Sequence, residues 1–369
     1  MSLDASAAAS LGTVRVVGTG LLGTSIALGL RACGVRVVLA DPSPTALALA
    51  RDVGAGEIDD GSVVADLVVV AAPPDVTAGV VAGELAARPG ATVTDVASVK
   101  TGIVDALAAA GADLDRYVGG HPMAGRERSG PIAARADLFL GRPWVVCPAP
   151  RSQQPRVDAV RALVRALGAT PMTLTPEAHD AAVAVVSHVP QVAASLVAAR
   201  LREAPDTAVA LAGQGLRDVT RIAGSDATLW AQILAANAEP VLGVLQQLHD
   251  DLGRVIRALT ALTGTGPDDG ARAALARLVE DGRAGRERIP GKHGAAPTPF
   301  EVVTVLLPDR PGQMARLFSD IGDAGINVEE FSLEHSPGQP VGLAGIWVLP
   351  AVREDLDRAL TERGWHVVA

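Results

Sequence analysis

The sequence predicts a chain in three parts: a doubly wound α/β domain, an all-helical domain, and a βαββαβ unit of the ferredoxin-like kind. Three observations carry this. Short β-branched runs alternate with helical stretches as far as about Pro150. Ala/Leu/Val helical patterns with almost no strand signal run from Thr175 to about Thr263. A fresh β-rich stretch then begins at Phe300, after a Gly/Pro/charge-rich segment. The corresponding boundaries are 12–175, 176–284, a linker at 285–299, and 300–369.

In the first part, VRVVG (14–18), VRVVLA (35–40), ADLVVVAAP (65–73), ATVTDVA (91–97) and PWVVCP (143–148) read as buried strands. Apolar runs of this length, bounded by Gly, Pro and Asp, suit a parallel sheet covered on both faces. Residues 156–167 read as helix, and Thr173 to Thr175 as one further strand. The helices of the second part are apolar over wide faces, which predicts burial against another subunit, hence a homodimer. In the third part, EVVTVLL (301–307), INVEEFSLE (326–334), LAGIWVLP (343–350) and WHVVA (365–369) are strands, separated by amphipathic helices at 311–324 and 352–363. That order is the ferredoxin-like one.

Composition narrows the function. At 369 residues the chain exceeds one ordinary core, and 49% apolar residues can fill several. The net charge of -9 argues against nucleic acid or an anionic membrane as the main partner. Cys33 and Cys147 fit neither a disulfide framework nor a metal-ligand spacing, so two buried thiols and no metal are expected. The first ten residues lack a basic segment followed by an apolar one, and the longest apolar region, 181–201, is interrupted by Ser187, His188, Pro190 and Gln191. A cytoplasmic protein with no membrane partner is the expectation.

Gly18-Thr19-Gly20-Leu21-Leu22-Gly23 is a G-x-G-x-x-G turn between a strand and a helix. Its first glycine permits the tight turn, its second lets backbone approach a pyrophosphate, and its third lets helix pack closely on strand. Asp41, about 20 residues on at the end of the second strand, suits the ribose hydroxyls of a dinucleotide. An acid there repels the extra phosphate of NADP, and Pro42-Ser43-Pro44 provides no arginine to hold one. NAD is the expected cofactor.

Three further clusters carry chemistry. Asp95-Val96-Ala97-Ser98-Val99-Lys100 ends a strand, where doubly wound folds place ligands; Lys100 could equally cap a helix or sit in solvent. Gly119-Gly120-His121-Pro122-Met123-Ala124-Gly125-Arg126-Glu127 holds a histidine between glycines and a proline, a setting for proton transfer rather than packing. Ser187-His188-Val189-Pro190 and Arg217-Asp218-Val219-Thr220-Arg221-Ile222-Ala223, with Trp230 nearby, lie in the helical part. His188 there could serve the site or simply fill the core. Arg221 in apolar surroundings needs an anion, either Asp218 or a substrate carboxylate.

Taken in order, GTGLLGTS, DVASVK, GGHPMAGRERSG, SHVP and RDVTRIA resemble the TyrA family of prephenate and arogenate dehydrogenases over residues 13–263. PDRPGQMARLFSDIGDAGINVEEFS (308–332) resembles an ACT domain, the amino-acid-sensing module of some members. The resemblance implies a Rossmann-type NAD domain, a helical dimerisation domain, and oxidative decarboxylation of prephenate to 4-hydroxyphenylpyruvate in tyrosine biosynthesis. It implies that His121 takes the proton of the ring hydroxyl while Ser98 orients that hydroxyl and the imidazole. It implies that Arg221 grips a substrate carboxylate, that His188 and Glu127 line the substrate site, and that tyrosine is the effector of the C-terminal unit. Gln191 stands where many relatives that act on prephenate have histidine, which leaves arogenate or a substituted prephenate as alternative substrates.

Two other readings compete. A β-hydroxyacid dehydrogenase would place its catalytic lysine in the helical part, yet residues 176–250 contain no lysine. A non-catalytic NAD-binding amino-acid sensor would need none of His121, Ser98 and Arg221.

Overall fold

A computed structural model describes residues 3–124, 130–264, 270–289, 300–335 and 340–368. The chain forms two compact units, one of Met1–Ala199 with Arg221–Gln247, the other of Arg200–Thr220 with Leu248–Ala369.

The first unit is built on an eight-stranded sheet of order β3-β2-β1-β4-β5-β6-β7-β8. Its strands are β1 (Thr13–Val17), β2 (Arg36–Ala40), β3 (Glu57–Ile58), β4 (Leu67–Val70), β5 (Thr92–Asp95), β6 (Tyr117–Pro122), β7 (Pro143–Pro148) and β8 (Thr170–Thr173). The strand order reverses between β1 and β4, the switch point at which doubly wound sheets bind ligands. Separate apolar clusters cover the two faces. Val14, Val16, Ile26, Leu30, Leu39 and Trp144 belong to one. Val68, Val70, Val93, Ile103, Leu107 and Tyr117 belong to the other. This is why the strands read as uninterrupted apolar runs.

Three features depart from the sequence expectation. The sheet is not wholly parallel, because β6 runs antiparallel to β7. β6 itself, YVGGHP, carries no strand pattern, since two glycines interrupt it. Those glycines are there for clearance. A Cβ on Gly119 would lie 3.0 Å from the Lys100 side chain, and one on Gly120 would lie 2.6 Å from the Asp95 carbonyl oxygen. The strand after the helix Gln154–Ala166 is Thr170–Thr173, ahead of the expected 173–175.

A helical run follows. Thr175 caps the helix Pro176–Val183 by accepting from the Ala178 amide, with proline in the first turn. A π-helical turn, Ala184–His188, joins it to Val189–Arg200. By length and composition Pro176–Glu203 could cross a membrane. Its buried face, however, carries His179, Asp180, His188 and Gln191. Their hydrogen bonds, described below, anchor that face within this unit. Ala227–Ala236 and the start of Ala238–Thr263 complete the helices of this unit.

The second unit contains a four-stranded antiparallel sheet of order β10-β11-β9-β12, built from β9 (Glu301–Pro308), β10 (Glu330–His335), β11 (Val341–Val348) and β12 (His366–Val368). The helices Gln313–Asp323 and Arg353–Glu362 pack Leu317, Ile321, Leu356 and Leu360 onto Val303, Val305, Ala344 and Ile346. The alternating burial of β9, with Val303, Val305 and Leu307 inward, is what a sheet covered on one face requires.

Candidate active site

The glycine-rich turn has the geometry that its residue types imply. Gly18 adopts φ +97°, and a Cβ there would lie 2.3 Å from the Ala71 carbonyl oxygen. A Cβ on Gly23 would lie 1.9 Å from the Gly18 carbonyl oxygen, so the third glycine sets the helix against the turn. Gly20 is different: it is exposed, and a Cβ there would meet nothing within 4 Å. Open space at Gly20, before the N-terminus of the helix Leu21–Ala32, is the approach that a pyrophosphate needs. Leu21 and Leu22 form the first turn of that helix. Asp41 closes the turn from the end of β2. Its Oδ2 accepts from the Thr19 amide at 2.6 Å and the Thr19 hydroxyl at 2.9 Å, and its Oδ1 accepts from the Ser43 amide at 2.7 Å.

At the end of β6, half-buried His121 lies with Nδ1 2.8 Å from Nε2 of His179. The two rings meet edge to face, with centroids 5.0 Å apart. Nδ1 of His179 lies 2.8 Å from Oδ1 of Asp180. Asp180 also accepts the backbone amides of Lys100 at 2.9 Å and Thr101 at 2.8 Å. Burial pushes the Asp180 carboxyl up, but the donors His179, Thr101 and Lys100 outweigh it and hold the group below the ordinary carboxylate range. His121 sits well below the ordinary imidazole range, first because of burial and then because His179, Lys100 and His188 repel a second positive charge. Both effects favour the neutral imidazole.

Beneath it, Lys100 is fully buried and paired with Asp95, so it neither caps through its side chain nor sits in solvent. The other Asp95 oxygen accepts from the Tyr117 hydroxyl at 2.7 Å, and the Ala97 amide donates to Asp95 at 2.8 Å. This knot fixes the loop that carries half-buried Ser98. Cys147, across the sheet from Gly119, is a buried thiol pushed up to about 12 by burial, whereas Cys33 is half-buried rather than buried.

His188 is buried on the π-helical turn, and its ring lies edge to face with Trp230, centroids 5.9 Å apart. Asn237 Nδ2 donates to the Asp180 carbonyl at 2.9 Å and lies 3.0 Å from His188 Nδ1. Because the carbonyl can only accept, the Asn237 atom at that position is its NH2. Nδ1 of His188 is then an acceptor, and its proton is on Nε2. Burial lowers the His188 pKa, which favours this neutral form. Gln191 is buried, with Nε2 3.4 Å from the Ser195 hydroxyl and Oε1 3.4 Å from that of Ser225. Gln191, Ser195 and Ser225, with Leu196, Trp230 and Leu234, line a cavity of about 370 Å³.

Of the remaining expected residues, Arg221 is not drawn into this cluster. Arg221 is exposed in a short 3-10 turn, Arg221–Gly224, and no ion pair to it is found among the described residues. Asp218, its candidate internal partner, instead accepts from Gln214 at 2.8 Å. Glu127 lies outside the described residues. Conversely, His179, Asp180 and Asn237 escaped the sequence reading. The signal for the first two was present: a His-Asp pair in the first turns of a helix, on the same face as buried Val183 and Ala184. Polar residues on a buried stripe require partners.

Residues 26–173 match the family model described as "Prephenate dehydrogenase, nucleotide-binding domain", and residues 175–270 match "Prephenate dehydrogenase, dimerization domain". The chain is 41% identical over 359 residues to "Probable prephenate dehydrogenase NovF" of Streptomyces niveus, covering 96% of this chain and 98% of that protein. It is 28% identical to the prephenate dehydrogenase of Bacillus subtilis (strain 168), over 86% of each. Among solved structures, prephenate dehydrogenase from A. aeolicus in complex with hydroxyphenyl propionate and NAD+ superposes with a TM-score of 0.66 at 27% identity, covering 76% of this chain and 99% of that one. A dinucleotide turn closed by an aspartate, a neutral histidine at a strand end and agreement along nearly the whole length of a relative have one explanation: the chain belongs to the prephenate dehydrogenase family.

Proposed function

We propose that the protein is an NAD-dependent prephenate dehydrogenase, converting prephenate to 4-hydroxyphenylpyruvate and CO2. The observation that carries this reading is His121 at the end of β6, its Nδ1 2.8 Å from His179 Nε2, in a sheet whose glycine turn leaves open space at Gly20. Gly18, Gly20, Gly23 and the helix behind them hold NAD, with Asp41 directed to its ribose. Bound NAD supplies the hydride acceptor for the carbinol carbon of the substrate.

His121 accepts the proton of the ring hydroxyl as the carbon–hydrogen bond breaks, and Ser98 orients that hydroxyl. The ring carboxylate leaves as CO2, its bonding electrons completing an aromatic ring, and the proton held by His121 returns to the ring oxygen. The protein has mainly to position and polarise. His188, protonated at Nε2, offers a donor to the substrate. Gln191 lines its side-chain end, Glu127 is assigned to substrate binding from the resemblance alone, and Arg221 grips a carboxylate with its planar fork.

The C-terminal unit is read as an ACT domain with tyrosine as its ligand, because its order βαββαβ and sheet order β10-β11-β9-β12 fit that module. A homodimer is supported by the match to a dimerisation domain and by exposed Leu252, Ile256 and Leu259 along one helix. A cytoplasmic location accords with this biosynthetic role.

The test is NADH formation by the purified chain with prephenate and with arogenate, each with and without tyrosine. Turnover of prephenate is expected, reduced by tyrosine. Turnover of arogenate alone would replace the substrate, and turnover of neither with NAD binding intact would favour a substituted prephenate or the sensor reading.

A further inference from the structure

We infer that His179 and Asp180 form a positioning relay that fixes the tautomer of His121, keeping its Nδ1 protonated and its Nε2 free to accept a proton. The inference rests on the reading of His121 as the base and explains what makes it one. It follows from counting donors. Both Asp180 oxygens receive backbone amides, Oδ1 from Lys100 at 2.9 Å and Oδ2 from Thr101 at 2.8 Å, so the group is an ionised acceptor. His179 Nδ1, 2.8 Å from Oδ1, must therefore donate. A neutral imidazole carries one N–H, which leaves a lone pair on His179 Nε2. His121 Nδ1, 2.8 Å away, must in turn donate to it. The lone pair of the neutral His121 ring is then on Nε2.

The relay is built for rigidity. His179 is 0% and Asp180 2% exposed, and Asn237 holds the Asp180 carbonyl at 2.9 Å. When Nε2 of His121 takes the hydroxyl proton, Nδ1–H goes on donating to His179 and no proton passes further. The charged and titratable groups facing His121 are His179, Lys100 and His188, which oppose its positive charge, and Asp180, which favours it. Removing the acceptor at position 179 strands a buried Nδ1–H, and the ring lowers that cost by moving the proton to Nε2, where it blocks the reaction.

The experiment uses the full chain labelled with 15N-histidine, the His121 signals being assigned by their loss in His121→Asn. The wild type is expected to show His121 protonated at Nδ1; a ring protonated at Nε2 overturns the relay. His179→Leu is expected to lower kcat by roughly a hundredfold, with KM for prephenate and the Kd of NAD within about twofold. His179→Gln, whose carbonyl oxygen can accept from Nδ1–H, is expected to recover at least about tenfold of that loss. Unchanged kcat in a folded His179→Leu, or no recovery in a folded His179→Gln, also overturns the relay. If His179→Leu fails to fold, the wild-type tautomer and the Gln variant decide. An Nδ1-protonated His121 in a chain that does not oxidise prephenate would keep the relay and reject the proposed substrate.

Discussion

Asp41 holds the backbone amide of Thr19 at 2.6 Å, tying the end of β2 to the middle of the glycine turn. The residue proposed to face the ribose is thus also a strut of the turn that would hold the pyrophosphate. Asp41→Ala is expected to weaken NAD binding and to narrow the preference for NAD over NADP, each by roughly tenfold. Steady-state kinetics with both cofactors separates the roles. An equal loss for the two cofactors, with selectivity unaltered, would leave Asp41 only its structural bond to Thr19.

His121→Asn is expected to lower kcat by about a hundredfold or more with little change in NAD affinity. Near-normal turnover would remove His121 from the chemistry. The pH profile gives an independent check. Burial and the neighbouring His179, Lys100 and His188 side chains depress the His121 pKa, so the base stays neutral and active through neutrality. Activity is lost only as pH falls below the ordinary imidazole range of about 6.5. A loss of kcat centred at or above that value would contradict the assignment.

The same depression bears on stability. His121 and His188 are held neutral in the folded chain, whereas unfolded imidazoles take up protons as pH falls through about 6.5. The unfolded state therefore binds more protons below that pH. Stability from these groups is fully present above it and declines on acidification toward their folded values. Urea unfolding from pH 8 to about 5 should show this decline, and a His121→Asn/His188→Asn variant should show less of it.

Arg221→Ala is expected to raise KM for the substrate about tenfold or more, with a smaller effect on kcat. With Asp218 engaged by Gln214 at 2.8 Å, the exposed guanidinium lacks the internal anion that the sequence offered it. An unchanged KM would return Arg221 to a structural or surface role.

Lys100→Met is expected to cost about 3–5 kcal/mol, because it leaves the buried Asp95 carboxylate without its cation. Chemical denaturation measures this, and Lys100→Met/Asp95→Asn should recover part of the loss. A cost under about 1 kcal/mol would mean that Tyr117 and the Ala97 amide suffice to hold Asp95.

Local patterns were enough for much of this protein. Apolar β-branched runs announced five strands of the larger sheet, because a strand buried on both faces needs no alternation. The roles of Gly18, Gly20 and Gly23 could be read from their spacing, since they express what a backbone without Cβ permits in one turn. The alternation of the C-terminal unit announced its strands and helices in order. β6 was illegible: the apolar pattern is absent where glycines serve clearance from Lys100 and Asp95, and both belong to other segments. The site was half legible for the same reason. His121 stood out by its immediate neighbours, but His179 lies 58 positions away, and only folding brings the two rings to 2.8 Å. The sequence by itself determined which groups were available: a histidine between glycines and a proline, an aspartate at a strand end and a glycine turn. The tertiary structure decided which nitrogen of His121 carries the proton and that Lys100 is buried against Asp95, because hydrogen-bond direction and desolvation depend on neighbours that chain order does not place together.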